Sequence, residues 1–245
     1  MSKIHSKSKS NYYNKYMKYK YKYICIKNKQ IGGNNENTDV NRAKIFSNIY
    51  DNGGWNWNNP QIPKSGEGSS IQYTRGVSKL LDDFVKEFNI KKIIDMGCGD
   101  LTWIQHTELF NNSNIIYIGI DIVKSVIDEN KKKFNNKLFY NYDIIEDHDK
   151  IEECDLMIIR DVTFHTKNND ILKIFDNIKN KFKYIAITSC LNNVNSDNLA
   201  GSGYYHPKNL HISPFNKNKK FIKSVYEPKF NRYFYIYPHD EFYAN

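Results

Sequence analysis

Ile93-Ile94-Asp95-Met96-Gly97-Cys98-Gly99-Asp100 is the stretch that decides the fold. A short apolar run from Lys92 to Met96 enters a turn with two glycines, the pattern of a buried strand passing into a tight connection. Glycine in such a turn lets the backbone approach a ligand closely and adopt positive φ. Downstream, Ile115 to Asp121 reads as a second strand ending in an acid, followed by a helix near 122–134. Leu138 to Asp143 is a third acid-ended strand and Asp155 to Asp161 a fourth. A helix near 168–180 precedes the fifth, Tyr184 to Ser189. Continuous apolar strands alternating with helices imply an α/β fold with a buried, mostly parallel sheet. The runs 219–226 and 231–237 have no helix between them and read as an antiparallel hairpin closing that sheet. Upstream, Val40, Ala43, Ile45, Phe46, Ile49 and Tyr50 recur at helical spacing, as do Val77, Leu80, Leu81, Phe84, Val85 and Phe88 in a helix near 71–88. Turn-rich Asp51-Asn52-Gly53-Gly54-Trp55-Asn56-Trp57 and Ser65-Gly66-Glu67-Gly68-Ser69-Ser70 lie between, the last two serines being N-cap candidates.

The chain has 245 residues, the length of one domain with an appendage. Its formal charge of +9 comes from 36 basic against 27 acidic residues. Nine lysines and no acid fall within residues 1–30, so the remainder is neutral with 27 of each sign. A basic overall balance suggests nucleic acid, yet here it supports that partner only through the N-terminal tail. Residues 1–38 carry no helical or strand period and are expected to be a disordered tail, with the folded domain spanning 39–245. Six tyrosines (12, 13, 16, 19, 21 and 23) interleave with the lysines. They read as a single-strand or RNA-binding arm, or as a solvated leader shaped by the Asn, Lys, Ile and Tyr bias of the whole chain. Four scattered cysteines (25, 98, 154 and 190) form neither a disulfide framework nor a CxxC zinc pair. No apolar run reaches the ~18 residues of a membrane span, and no signal-peptide apolar region follows the basic start. A cytoplasmic, reduced protein without membrane attachment is the expectation.

Ligands of doubly wound sheets sit at the carboxyl ends of the strands. Asp121 ends its strand 22 residues after Gly99, where an acid accepts hydrogen bonds from ribose hydroxyls. Asp143 ends the next, where a purine edge would lie. A dinucleotide site wants G-x-G-x-x-G with pyrophosphate on a helix N-terminus. Here Thr102 and Trp103 stand in its place, and Asp95 and Asp100 flank the glycines. Acids repel phosphate and suit a cation. S-adenosylmethionine has a ribose, an adenine, an ammonium and a sulfonium but no phosphate, so this chemistry selects it over a nicotinamide dinucleotide.

Asp95 to Asp100, Tyr117-Ile118-Gly119-Ile120-Asp121 and Asp155 to Asp161 resemble the first, second and fourth motifs of class I S-adenosylmethionine-dependent methyltransferases, over about residues 90–190. The resemblance implies a Rossmann-like seven-stranded sheet with a C-terminal antiparallel hairpin. A narrower resemblance covers about residues 45–238. It rests on Ile49 to Trp55, Ser65 to Ser70, Cys98 to Trp103, Arg160-Asp161-Val162-Thr163-Phe164-His165, and Asn209-Leu210 with Pro214-Phe215. It points to methyltransferases that accompany sugar and glycan-assembly enzymes, and so to a small-molecule or glycan acceptor.

By the family pattern Gly97 and Gly99, with Cys98 between them, pass under the methionine part of the cofactor, and Asp95 faces its ammonium. Asp121 holds the ribose and Asp143 the adenine amine, with Ile122 and Ile144 next to them also counted as cofactor-binding; Glu146 and Asp147 compete for the role of Asp143. Ser65 to Ser70 is either a linker or a fold over the cofactor, with Ser69 presenting backbone amide to the carboxylate. Trp55 is a core anchor or a cover over the site. An alcohol acceptor must lose a proton, which a positioned His or carboxylate can take. His165 is the candidate base, and Asp161 orients it or the acceptor; alternatively His165 caps the helix at 168 and Asp161 binds backbone amides. His206, Asn209 and His211 lie in a long polar loop expected to shape the acceptor pocket. They could ligate a metal together with Asp161, but no spacing among them is diagnostic, and no metal ligand is assigned. Two other functions compete with sugar O-methylation: an RNA methyltransferase using the tail as its arm, and a silent module that binds cofactor without turnover.

Overall fold

The computed structural model describes residues 42–197 and 202–244. The tail assigned to 1–38 and the domain boundary at 39 lie outside them. Seven strands form one sheet: β1 (Lys92–Met96), β2 (Ile116–Asp121), β3 (Leu138–Asn141), β4 (Cys154–Ile159), β5 (Phe182–Cys190), β6 (Lys223–Glu227) and β7 (Arg232–Pro238). Their order across the sheet is β3-β2-β1-β4-β5-β7-β6. The first five run parallel; β7 inserts antiparallel between β5 and β6. This is the expected Rossmann-like sheet with its terminal hairpin. The chain winds outward from β1 in one direction and from β4 in the other. The crevice therefore opens between the carboxyl ends of these two neighbours.

Both faces of the sheet are covered, which is why the central strands β1, β2, β4 and β5 are buried at nearly every position rather than at alternate ones. Ile93, Leu156, Phe234 and Ile236 pack on one side against Val77, Leu81 and Phe84 of helix α2 (Ile71–Glu87). Ile94, Met96, Met157 and Ile185 pack on the other against Ile171, Ile174 and Phe175 of helix α5 (Asn168–Asn177). Each fully buried aliphatic or aromatic side chain contributes about 1.5–3 kcal/mol, so these two layers hold the strand ends in place. The remaining helices are α1 (Arg42–Asp51), α3 (Glu108–Asn111), α4 (Lys124–Lys133) and α6 (His239–Tyr243). None of the described helices is long and apolar enough to cross a membrane.

Two local expectations need correction, and one holds for position alone. Strand β3 stops at Asn141, the register partner of Asp121, so Asp143 lies beyond the strand and not at its end. Asn141 spends its amide on the carbonyls of Asp121 and Ile122, at 3.0 and 2.9 Å, and this turns the chain out of the sheet. Ser70 holds the N-cap position of α2, but its side chain makes no capping bond. His165 does not cap α5: Asp197 does, its Oδ2 accepting from the amide of Asn168 at 2.7 Å.

Candidate functional site

A cleft of about 1000 Å³, counting space open to solvent, lies over the carboxyl ends of β1, β2 and β4. Twelve of the residues singled out from the sequence line it: Trp55, Ser69, Asp95, Gly97, Cys98, Gly99, Asp121, Ile122, Asp143, Ile144, Asp161 and His165; His206, Asn209 and His211 do not.

The floor is the turn after β1. Gly97 and Gly99 have φ of +71° and +59°. A Cβ on Gly97 would run into Cγ2 of Val162, so the turn needs glycine for conformation and for space. The peptide at Gly99 is gripped from both sides. Its N–H donates to Asp121 Oδ2 at 3.0 Å, and its carbonyl accepts from Asn130 of α4 at 2.8 Å. Asp121 Oδ1 accepts from the amide of Val123 at 2.9 Å. Each carboxylate oxygen has a second lone pair, so Asp121 retains capacity toward the cleft. Burial raises its pKa, and the backbone amides oppose that rise.

Asp95 is buried and accepts from the Tyr117 hydroxyl at 2.6 Å. Burial pushes its carboxyl up to about 7, against the stabilising tyrosine bond. The sign follows from linkage. A carboxyl whose folded pKa lies above its ordinary 3.8 costs stability as pH rises through that interval. Asp95→Asn keeps an acceptor for Tyr117 and removes the charge. The variant should therefore gain on wild type between about pH 4 and 7, reaching ~4 kcal/mol above that range. Urea titrations at pH 5 and pH 8 measure this; a difference between variant and wild type that does not grow with pH would refute it.

The segment 65–70 folds over the cleft. Ser65 donates to Asp100 through its hydroxyl at 2.8 Å and its amide at 3.2 Å, and Gly66 turns at φ +99°. It is therefore a fixed wall and not a linker. Trp55 packs against Tyr50, Phe46 and His165, with ring centroids 5.3, 6.0 and 4.7 Å away, and its indole N–H donates to the Gly203 carbonyl at 3.3 Å. It covers the site as an aromatic cluster over the glycine turn.

Asp161 sits just past β4 with φ +65°. Its partners are arginines, not backbone amides and not His165. Oδ2 lies 3.2 Å from Arg160 and 3.0 Å from Arg232. Both guanidiniums also bind the buried Glu227, at 2.7 and 2.9 Å. Burial raises the Asp161 carboxyl, but the two guanidiniums outweigh it and hold it below the usual range. Asp161 Oδ1 and His165 Nδ1 are shielded from water and have no hydrogen-bond partner. Burial pushes the imidazole down to about 4, against the pull of the Asp161 charge, so it is neutral at pH 7. Such unpaired buried atoms are uncommon and call for an explanation.

Asp143 is not a free acid. Oδ1 accepts from the amide of Ile145 and Oδ2 from Arg42 Nε, both at 2.9 Å. Glu146 also binds Arg42, and Asp147 turns back to the amide of Asp143. His211 faces the Lys217 carbonyl and Asn209 the loop around Asn192, so neither joins Asp161. Among the described residues no group of His, Cys, Asp and Glu gathers to hold a metal. Sequence reasoning missed Arg42, Tyr50, Arg160, Arg232 and Glu227. Arg160 and Tyr50 had a signal, since both stand inside quoted motifs; the others have no spacing that singles them out.

No family model and no curated protein sequence matches this chain. Solved structures do. Magnesium protoporphyrin IX methyltransferase from Synechocystis PCC 6803, determined with S-adenosylmethionine bound, matches with a TM-score of 0.57 at 13% identity, over 82% of this chain and 97% of that one. N-methyltransferase NodS from Bradyrhizobium japonicum WM9 matches with a TM-score of 0.52 at 11% identity, over 68% and 96%. An O-methyltransferase family protein from Burkholderia thailandensis matches with a TM-score of 0.52 at 8% identity. The match covers 69% of this chain and just over half, 56%, of that one. At such identities the shared property is the fold, that of the class I methyltransferases.

Proposed function

We propose that this chain, built on the class I methyltransferase fold, moves a methyl group from S-adenosylmethionine to a hydroxyl of a sugar or glycan intermediate. The observation that carries the reading is the gripped glycine turn, with Asp121 beneath it and Asp95 beside it facing one cleft. The donor set fits the cofactor. Among the described residues acidic side chains line the cleft and no lysine does, and its two guanidiniums, Arg42 and Arg160, are matched by carboxylates. A cationic ligand without phosphate suits this balance.

When bound, S-adenosylmethionine supplies a methyl group on positively charged sulfur. Asp121 offers its spare lone pairs to the ribose hydroxyls, and Asp95 offers its carboxylate to the ammonium. Trp55, Tyr50 and Phe46 exclude water. The neutral imidazole of His165 lines the cleft and would take the acceptor hydroxyl proton on the ring nitrogen that the acceptor reaches. Asp161 stays ionised beside it and stabilises the resulting imidazolium. The products are a methyl ether and S-adenosylhomocysteine. Holding the acceptor in line supplies much of the barrier reduction.

The neutral charge of the chain beyond its first thirty residues supports an uncharged acceptor over RNA. Labelled-methyl transfer, screened over sugars, nucleotide sugars and RNA, tests this directly. On the acceptor found, His165→Ala should lose about 10²–10⁴ in turnover with little change in S-adenosylhomocysteine affinity. Unchanged turnover would remove His165 as the base. Transfer to RNA alone, abolished by deleting residues 1–38, would replace the glycan reading with the RNA one.

A further inference from the structure

Helix α1 walls one side of the cleft, yet the only side chain it buries is charged. Arg42 is 5% exposed; no apolar residue of the helix is fully buried. Phe46 and Tyr50 follow on the same face at four-residue steps, half-buried and lining the cleft. A ten-residue helix has little stability of its own in water, so its order depends on where it docks.

Arg42 supplies that docking. Nε donates to Asp143 Oδ2 at 2.9 Å, and the other arm donates to Glu146 Oε1 at 2.8 Å. Asp170 of α5 lies 3.9 Å from the remaining nitrogen, which is shielded from water and makes no hydrogen bond. Acids from the segment after β3 and from α5 thus converge on one guanidinium carried by a third element. Only the planar fork of arginine serves several carboxylates at once; a lysine ammonium is a single point. Removing one partner of such a buried set strands the opposite charges.

We propose that Arg42 is a positioning residue that latches α1 across the cleft, setting Phe46, Tyr50 and the Trp55 packed on them as the wall of the ligand site. The ligand half of this proposal rests on the cleft being an S-adenosylmethionine site; the latch itself does not. Asp143 belongs to the latch through Oδ2, which accepts from Arg42, while its Oδ1 accepts from the amide of Ile145.

Hydrogen exchange of the full chain, with and without S-adenosylhomocysteine, tests it in wild type, Arg42→Met, Arg42→Lys and Glu146→Gln. Glu146 is two-thirds exposed, so its variant carries little folding risk. In Arg42→Met the amides of 43–51 should lose protection while those of β1, β4 and β5 keep theirs. Affinity for S-adenosylhomocysteine should fall about tenfold, as when only a tenth of the molecules hold the competent wall. Arg42→Lys and Glu146→Gln should fall between these limits. Unchanged exchange of α1 in Arg42→Met would overturn the latch, and so would protection lost equally across the sheet, which marks a general stability role. Selective loss in α1 with unchanged affinity would overturn the positioning role. A wild-type chain that binds no S-adenosylhomocysteine would overturn the functional reading and leave exchange alone to decide the latch.

Discussion

Glu227→Gln should lower the unfolding free energy by about 3–5 kcal/mol, the cost of breaking a buried ion pair by removing one partner. Glu227 is 4% exposed and accepts from Arg160 at 2.7 Å and from Arg232 Nε at 2.9 Å. With Asp161 the group holds two positive and two negative charges. The glutamine places an amide N–H₂ against guanidiniums and leaves two of them facing a single carboxylate. At ~2–4 °C per kcal/mol for a domain of this size, the midpoint should fall by roughly 6–20 °C in calorimetry. Removing Arg232 as well restores the charge balance, so Arg232→Met with Glu227→Leu should cost less than Glu227→Leu alone. That sign of coupling is what a double-mutant cycle reads. A single variant within about 1 kcal/mol of wild type would mean that water screens these charges.

Asp121→Ala should abolish the thermal shift caused by S-adenosylhomocysteine. In wild type, ligand at 100 times its dissociation constant adds ~2.7 kcal/mol, a shift of several degrees. The alanine removes the acceptor proposed for ribose hydroxyls and releases the amides of Gly99 and Val123, so the glycine turn loses its grip. The unliganded variant should itself melt lower, because two buried amides lose a charged acceptor at ~1–3 kcal/mol each. The ligand-induced difference, and not the midpoint, is therefore the test. A full shift retained in Asp121→Ala would show that the ligand does not bind at this acid, and no shift in wild type would leave the fold without the function.

The sequence by itself determined the sheet and its contents. The strands β2, β4 and β5 contain apolar runs of four or more residues and β1 carries Ile93, Ile94 and Met96 around one acid, and burial on both faces leaves no other use for them. Glycines at 97 and 99 and an acid at 121 follow from local geometry and one strand-to-strand step, so their meeting in one cleft was legible from spacing. The acid at 143 shows where that legibility ends. Its position was readable, but its partner was not, because Arg42 lies 101 residues away on a helix whose apolar period says nothing about a buried charge. Arg160 and Glu227 are 67 residues apart and meet because β6 runs in the same direction as β4, so that both residues reach the same edge of the sheet across β5 and β7. Hydrophobic burial depends on composition along a strand, so it is written in the chain. Pairing of buried charges depends on which strand lies next to which, and only the tertiary structure decides that.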